Sequence, residues 1–248
     1  MKNLGHCIEL ISLSRTPEQA FDRFGAAMHQ HGYDRIAYSL VTDHPSLGLP
    51  RQYGLASSYP EDWMKHYRER NYMEIDPVMR RVMRSRKPFH WSELTADPKL
   101  PAPALQLMKE AEESGLRDGI GIPLCSPAGE IVGIGLARSD PGAGVDYAFL
   151  AAACLLSVYF DETFRDLLAT PLGPNLTDRQ REVLYWAAEG KTDQEVALIL
   201  TVSAHTVRFH WKNIFEKLDA KGRTYAVTKA IRLHLIVPGI VRLSPSHR

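Results

Sequence analysis

The last seventy residues carry apolar side chains at helical spacing in four successive segments. The third segment has them at steps of four, three and four: Val207, Trp211, Ile214 and Leu218. This spacing places them on one buried face of a helix that Ser203 can cap. Similar patterns predict three further helices, namely one after Thr177, one from Thr192 to about Leu200 and one from about Tyr225 to Leu235. We therefore expect a four-helix unit.

The opposite face of the third helix is polar and basic: His205, Thr206, Arg208, Phe209 and Lys212. A three-residue turn separates this helix from the second, which is the spacing of a helix-turn-helix motif. In such motifs the second helix enters the major groove, so these five side chains are predicted to contact double-stranded DNA. The alternative is an ordinary four-helix bundle with a solvated basic face.

Charge is divided unevenly along the chain. Residues 175–248 hold 12 Lys and Arg against 7 Asp and Glu, a net of +5, whereas residues 1–174 hold 18 against 22, a net of −4. DNA is a polyanion, and its affinity for proteins depends on basic groups. The charge division favours a DNA-binding unit attached to a unit with another role.

The first two-thirds of the chain mixes helical and strand patterns. Helices are predicted at Thr16–Gly32, Pro60–Arg70, Asp76–Arg84, Ala104–Ser114 and Asp146–Leu168, and strands at Arg35–Val41, Asp118–Cys125 and Glu130–Ala137. The last two strands are joined by the turn Ser126–Gly129, which is typical of an antiparallel hairpin. We expect an α+β fold, an α-β-α sandwich with a ligand cavity between its layers.

The final helix of this part is apolar on two stripes. Tyr147, Leu150, Cys154 and Val158 form one, and Ala153, Leu156, Phe160 and Phe164 form the other. One stripe can pack on the sheet, and self-association would cover the second, which predicts a homodimer. The alternative is a helix buried on both sides within one domain.

The domain limits follow from a Pro- and Gly-containing segment. Residues 1–168 are predicted to form the first domain, 169–175 a linker and 176–248 the second domain. Cys7, Cys125 and Cys154 are odd in number and widely spaced, which fits a reducing cytoplasm. We also expect no membrane partner, because the longest apolar stretch is shorter than the ~20 residues of a spanning helix.

Aromatic side chains with polar tips cluster in the middle of the first domain. Tyr59, Trp63 and Tyr67 recur every four residues, and Asp76 and Trp91 follow. A buried indole or phenol needs a hydrogen-bond partner, and a buried carboxylate needs donors. The set fits a cavity for a mostly apolar ligand that carries an amide and a carbonyl. A structural network satisfied by its own members is the alternative.

Both parts of the chain resemble one family. The strings Leu176-Thr177, Arg181-Glu182-Val183-Leu184, Ala188–Thr192 and Glu195-Val196-Ala197 resemble the DNA-binding domain of LuxR-type regulators. Trp63-x-x-x-Tyr67, Asp76-Pro77, Trp91 and Gly119 are similar to the ligand domain of LuxR-type receptors for N-acyl homoserine lactones. The resemblance implies a cytoplasmic quorum-sensing transcription factor that binds a pseudo-palindromic DNA site as a dimer, with RNA polymerase as a further partner.

The resemblance also implies roles for the aromatic cluster. The Trp63 indole would donate to the lactone carbonyl, Asp76 would accept the ligand amide N–H, and Tyr59 would donate to the amide carbonyl. Tyr67 and Trp91 would be walls, and Gly119 a backbone requirement. Gly121 and Gly135 stand where some relatives have Thr or Ser. The two glycines therefore predict extra room and a medium to long acyl chain.

Two other functions stay open at this point. One is a regulator with the same output domain that is driven by phosphorylation or by a different ligand. The other is an acyl-lactone hydrolase, although the chain lacks a Gly-x-Ser-x-Gly nucleophile elbow. The expectation is a regulator that is not an enzyme and needs no cofactor or metal.

Overall fold

The computed structural model describes residues 3–43, 49–126, 129–140, 146–168, 176–233 and 235–238. The chain divides into two compact units, Met1–Thr170 and Pro171–Arg248. The predicted linker, residues 169–175, lies outside the described residues, as does the centre of the predicted turn at Pro127 and Ala128.

A five-stranded antiparallel sheet forms the middle of the first unit. Its strands are β1 Arg35–Leu40, β2 Gln52–Ser57, β3 Phe89–His90, β4 Arg117–Cys125 and β5 Ile131–Arg138, in the order β2-β1-β5-β4-β3. The predicted β4–β5 pairing is confirmed, with Gly121 opposite Gly135. β2 was not predicted. This edge strand lacks clear alternation, and Gly54 has a φ of +62° within it.

One face of the sheet is covered by α1 Leu4–Ser12, α2 Pro17–His29 and α7 Tyr147–Leu168. α1 was not predicted. Thr16 caps α2 by accepting the Gln19 backbone N–H at 3.2 Å. α7 is fixed to β1 because the Tyr38 hydroxyl donates to Asp161 at 2.7 Å.

The other face of the sheet is covered by four helices and a short 3-10 helix at Tyr72–Glu74. The four helices are α3 Glu61–Glu69, α4 Pro77–Arg84, α5 Trp91–Thr95 and α6 Ala102–Glu113. The predicted α-β-α sandwich is therefore confirmed.

α7 buries only one of its two apolar stripes. Leu156, Phe160 and the rest of that predicted stripe lie in the core. On the other side Tyr147 is 75% exposed and Val158 49% exposed, with Leu155 and Tyr159 also exposed. Leu150 of the second stripe is buried and Cys154 is half-buried, so the described part of the first unit covers this stripe only in part. By length and composition alone α7 could cross a membrane, but its buried stripe packs in the core of the first unit.

The second unit consists of α8 Asp178–Ala188, α9 Asp193–Leu200, α10 Ala204–Leu218 and α11 Arg223–Arg232. Thr177, Thr192 and Ser203 each accept a backbone N–H three residues ahead, as predicted for caps. All four apolar side chains of the predicted α10 stripe are buried in the centre of this unit. The four-helix prediction is confirmed.

Candidate ligand cavity and nucleic-acid interface

A cavity lies between the sheet and the helices α3 to α6. Its volume is about 30 Å³. Six of the seven predicted ligand residues line it: Tyr59, Trp63, Tyr67, Asp76, Trp91 and Gly135. Gly121 does not. The fold thus gathers side chains from α3, α4, α5 and β5 around one cavity.

Tyr53 is a cavity residue that was not predicted. It lies on β2, and its ring stacks on Tyr67 with the centroids 3.7 Å apart and the planes at 10°. Its hydroxyl is close to the Trp63 indole, but the indole N–H makes no hydrogen bond of good geometry with any described residue. Burial raises the pKa of Tyr53, so the hydroxyl stays neutral. The sequence signal for Tyr53 is a single aromatic residue in a segment without clear strand alternation.

Asp76 is a buried carboxylate at the N-terminus of α4. Its Oδ1 accepts the backbone N–H groups of Val78 at 2.7 Å and Met79 at 3.3 Å, and its Oδ2 accepts the Tyr67 hydroxyl at 2.7 Å. Burial raises the pKa of Asp76, and these three hydrogen bonds oppose that rise. A carboxylate has about four acceptor sites. Three are occupied, which leaves acceptor capacity for one more donor.

Two indole N–H groups that line the same cavity as this carboxylate are buried without an acceptor among the described residues. The Trp63 and Trp91 side chains line the cavity, and neither indole nitrogen has a hydrogen-bond partner among the described residues. An unpaired buried donor costs about 1–3 kcal/mol, so such groups usually have a reason to remain. The cavity therefore combines unpaired donors with a carboxylate, and it can pair a ligand that offers both carbonyl oxygens and an N–H.

Three sheet glycines have aromatic rings against their backbone. A Cβ at Gly119 would overlap the Trp91 ring, and one at Gly121 would overlap the Phe89 ring. At Gly135 it would lie 2.5 Å from the Tyr59 hydroxyl oxygen. The expectation that Gly121 and Gly135 widen the cavity is therefore wrong, because rings from other elements take the space that a side chain would use. Gly119 is required for the same close approach.

α10 presents the predicted DNA-contacting side chains. His205, Arg208, Phe209 and Lys212 are exposed, and Thr206 is half-buried with its hydroxyl 2.9 Å from that of Ser203. Phe209 is 58% exposed, and its ring lies 6.1 Å from that of His210. These side chains form a polar and aromatic face that is available to DNA.

Asp193 and Arg223 fix the buried side of α10. Asp193 accepts the Trp211 indole N–H at 3.0 Å and the Arg223 guanidinium at 2.7 Å, and the guanidinium lies 5.1 Å from the Trp211 ring. One cluster thus connects α9, α10 and α11. The mutual orientation of the helix-turn-helix pair is held by charge-assisted contacts as well as by the apolar core.

The comparisons with known families cover both units. The autoinducer-binding domain family matches residues 16–163, and the luxR family of bacterial regulatory proteins matches residues 174–230. The chain belongs to the LuxR family. It therefore combines an autoinducer-binding domain with a DNA-binding helix-turn-helix domain, and the prediction of a LuxR-type quorum-sensing transcriptional regulator is confirmed.

Three named proteins are similar to this LuxR-family protein over most of its length. The quorum sensing-dependent regulator RpaR of Rhodopseudomonas palustris is 39% identical over 191 residues, which is 76% of this chain and 77% of RpaR. The quorum-sensing regulator RhlR of Pseudomonas aeruginosa is 32% identical over 83% of this chain and 84% of RhlR. The crystal structure of Escherichia coli SdiA has the same fold, with a TM-score of 0.73 at 24% identity over 94% of this chain and 98% of SdiA.

Proposed function

We propose that this regulator binds an N-acyl homoserine lactone in the cavity of its first unit. Asp76 accepts the amide N–H of the ligand, the Trp63 indole donates to the lactone carbonyl, and the Tyr59 hydroxyl donates to the amide carbonyl. Tyr67 and Trp91 are walls. The observation that carries the proposal is a cavity lined both by two unpaired buried indole donors and by a buried carboxylate with spare acceptor capacity.

The acyl group that fits this cavity is compact. A medium to long chain was expected from the two glycines, but the Phe89 and Tyr59 rings lie against them. The cavity volume of about 30 Å³ is small, so a ligand must displace side chains to enter. A short or flat acyl group needs smaller side-chain movements than a long flexible chain, and core side chains move at a cost.

The output of binding is regulated transcription in the cytoplasm. Residues 1–168 bind the ligand and dimerise through the exposed stripe of α7, where Tyr147, Leu155, Val158 and Tyr159 are unusually accessible. Residues 176–248 then present two copies of α10 to a pseudo-palindromic site, about 34 Å apart. RNA polymerase is the further partner.

The test is ligand retention by the purified full chain. N-butanoyl, N-octanoyl and N-phenylacetyl homoserine lactone are added in turn, thermal shift is recorded, and the retained molecule is identified by mass spectrometry. We expect the butanoyl or phenylacetyl compound to be retained intact and to give the largest shift. Recovery of ring-opened product would indicate a hydrolase instead, and no retention of any lactone would indicate a regulator with another input.

A matched pair of variants makes the test specific to the cavity. Trp63→Phe removes one unpaired indole donor and keeps an aromatic ring. Trp186→Phe makes the same change on α8, in the second unit. Loss of about 1 kcal/mol or more of lactone affinity is expected for the first variant only. Equal effects in both would contradict the assigned role of Trp63.

A further inference from the structure

One wall of the cavity is formed by side chains of α6. Leu107, Met108 and Ala111 of α6 line the cavity. All three side chains are buried in the apolar cluster that contains Trp63 and Tyr67. Movement of α6 would therefore open the cavity on this side.

Glu110 is the polar anchor of this wall. Its Oε2 accepts the Tyr72 hydroxyl at 2.6 Å and the His66 Nε2–H at 2.8 Å, and its Oε1 accepts the Gln106 amide at 3.0 Å. These bonds, that of Tyr72 first, lower the pKa of Glu110 to about 2. The carboxylate is therefore ionised at neutral pH, and its bonds across to the α3 side are charge-assisted.

The partners of Glu110 contact the proposed ligand-binding aromatics. The Tyr72 ring meets Tyr67 edge-on at 5.9 Å and lies 6.3 Å from Trp63. The His66 ring lies 6.1 Å from Trp63 and 5.5 Å from Tyr72. Glu110 thus reaches Trp63 and Tyr67 through one intervening ring in each case, from outside the cavity.

From this geometry we propose that Glu110 is a positioning residue that holds α6 against α3 and so sets how long a ligand stays in the cavity. Glu110 does not contact the ligand. It holds α6 in place and fixes the His66 and Tyr72 rings, which contact Trp63 and Tyr67. The ligand part of this inference rests on the proposed function. Its structural part, the attachment of α6, does not.

The test compares Glu110→Ala with Glu113→Ala, an exposed glutamate one turn further along α6. Hydrogen exchange is followed in the ligand-free full chain. We expect Glu110→Ala to exchange its backbone amides at residues 104–111 about tenfold faster, with amides of α2 and α7 unchanged. Exchange that equals the Glu113→Ala rate, or that rises equally throughout the unit, would overturn the inference without reference to any ligand.

Ligand dissociation gives the second readout. The most stabilising of the three lactones should leave Glu110→Ala about tenfold faster than Glu113→Ala, and the conservative Glu110→Gln should recover part of the difference. Tyr72→Phe keeps the ring and removes one bond, so it should shift the rate in the same direction by a smaller factor. If wild type retains lactone but all these rates agree, the positioning role is wrong. If wild type retains none, the proposed function fails, and hydrogen exchange alone decides on Glu110.

Discussion

Replacing Asp76 by Asn separates ligand recognition from folding. The Asn side-chain oxygen can still accept the Val78 and Met79 backbone N–H groups, and Asn is as good an N-cap as Asp. In the wild type the Tyr67 hydroxyl donates to the second carboxylate oxygen at 2.7 Å. That oxygen becomes an NH₂ group in the variant, so the hydroxyl must rotate and accept a hydrogen bond from it. The fold should tolerate this change, whereas the ligand amide N–H would meet a donor.

The expected loss of affinity is large. A hydrogen bond to a charged group contributes about 1.5–3 kcal/mol, so its removal should weaken lactone binding roughly ten- to more than a hundredfold.

The folding stability of the ligand-free variant, in contrast, should equal or exceed that of the wild type near pH 8. Burial raises the folded-state pKa of Asp76 above its unfolded value. Its contribution to stability is therefore greatest below the unfolded pKa and falls as pH rises through the folded pKa.

Thermal melts from pH 4 to pH 8 measure both effects. Without ligand, Asp76→Asn should equal or exceed wild type near pH 8 and lose that advantage toward pH 4. With lactone, only wild type should gain stability. Asp62→Asn, in the exposed first turn of α3, is the matched control and should change neither property. A normal lactone response in Asp76→Asn would refute the role of the carboxylate, and an unfolded variant would refute the cap argument.

Four further outcomes are expected. Arg208→Ala should weaken binding to the DNA site by ~1–3 kcal/mol in a titration, while Arg232→Ala should not. Val158→Asp should convert a dimer to a monomer in sedimentation, because a charge would enter the exposed α7 stripe; an unchanged dimer would exclude this stripe. Phe89→Ala should lower the melting temperature but increase the shift given by the octanoyl lactone relative to the butanoyl one. Thr192→Ala should cost about 1 kcal/mol of stability in the second unit through loss of the α9 cap.

Elements with regular apolar spacing could be predicted from the sequence. α10 follows from four apolar positions, and β4 with β5 from two strand patterns joined by a turn. β2 could not, because an edge strand is stabilised by pairing with β1 rather than by its own pattern. α1 was missed for a related reason: it packs against α2 and α7, which come later in the chain.

The candidate site was predictable where a residue type carries its own physical requirement. A carboxylate before Pro77 and an indole within a helix each need a hydrogen-bond partner when they are buried. Asp76 and Trp63 can therefore be singled out from the sequence. Tyr53 and Phe89 do not stand out, because an aromatic ring is equally at home in a core. Their positions depend on the strand order of the sheet, in which β2 and β3 are the two edge strands and Gly121 and Gly135 lie on β4 and β5 between them.

Two facing glycines in the sheet have aromatic rings against their backbone. Glycine within a strand is destabilising by roughly 0.5–1 kcal/mol relative to Ala, yet Gly121 and Gly135 lie opposite each other in the middle of β4 and β5. The close approach of Phe89 and Tyr59 explains both, because any side chain at either glycine would displace a ring. A larger residue at Gly135 would therefore first displace the Tyr59 hydroxyl, and the cavity would lose a donor before it became shorter. If the proposed function holds, we expect selectivity for the acyl group to depend on these two rings, of which Tyr59 lines the cavity and Phe89 lies against Gly121.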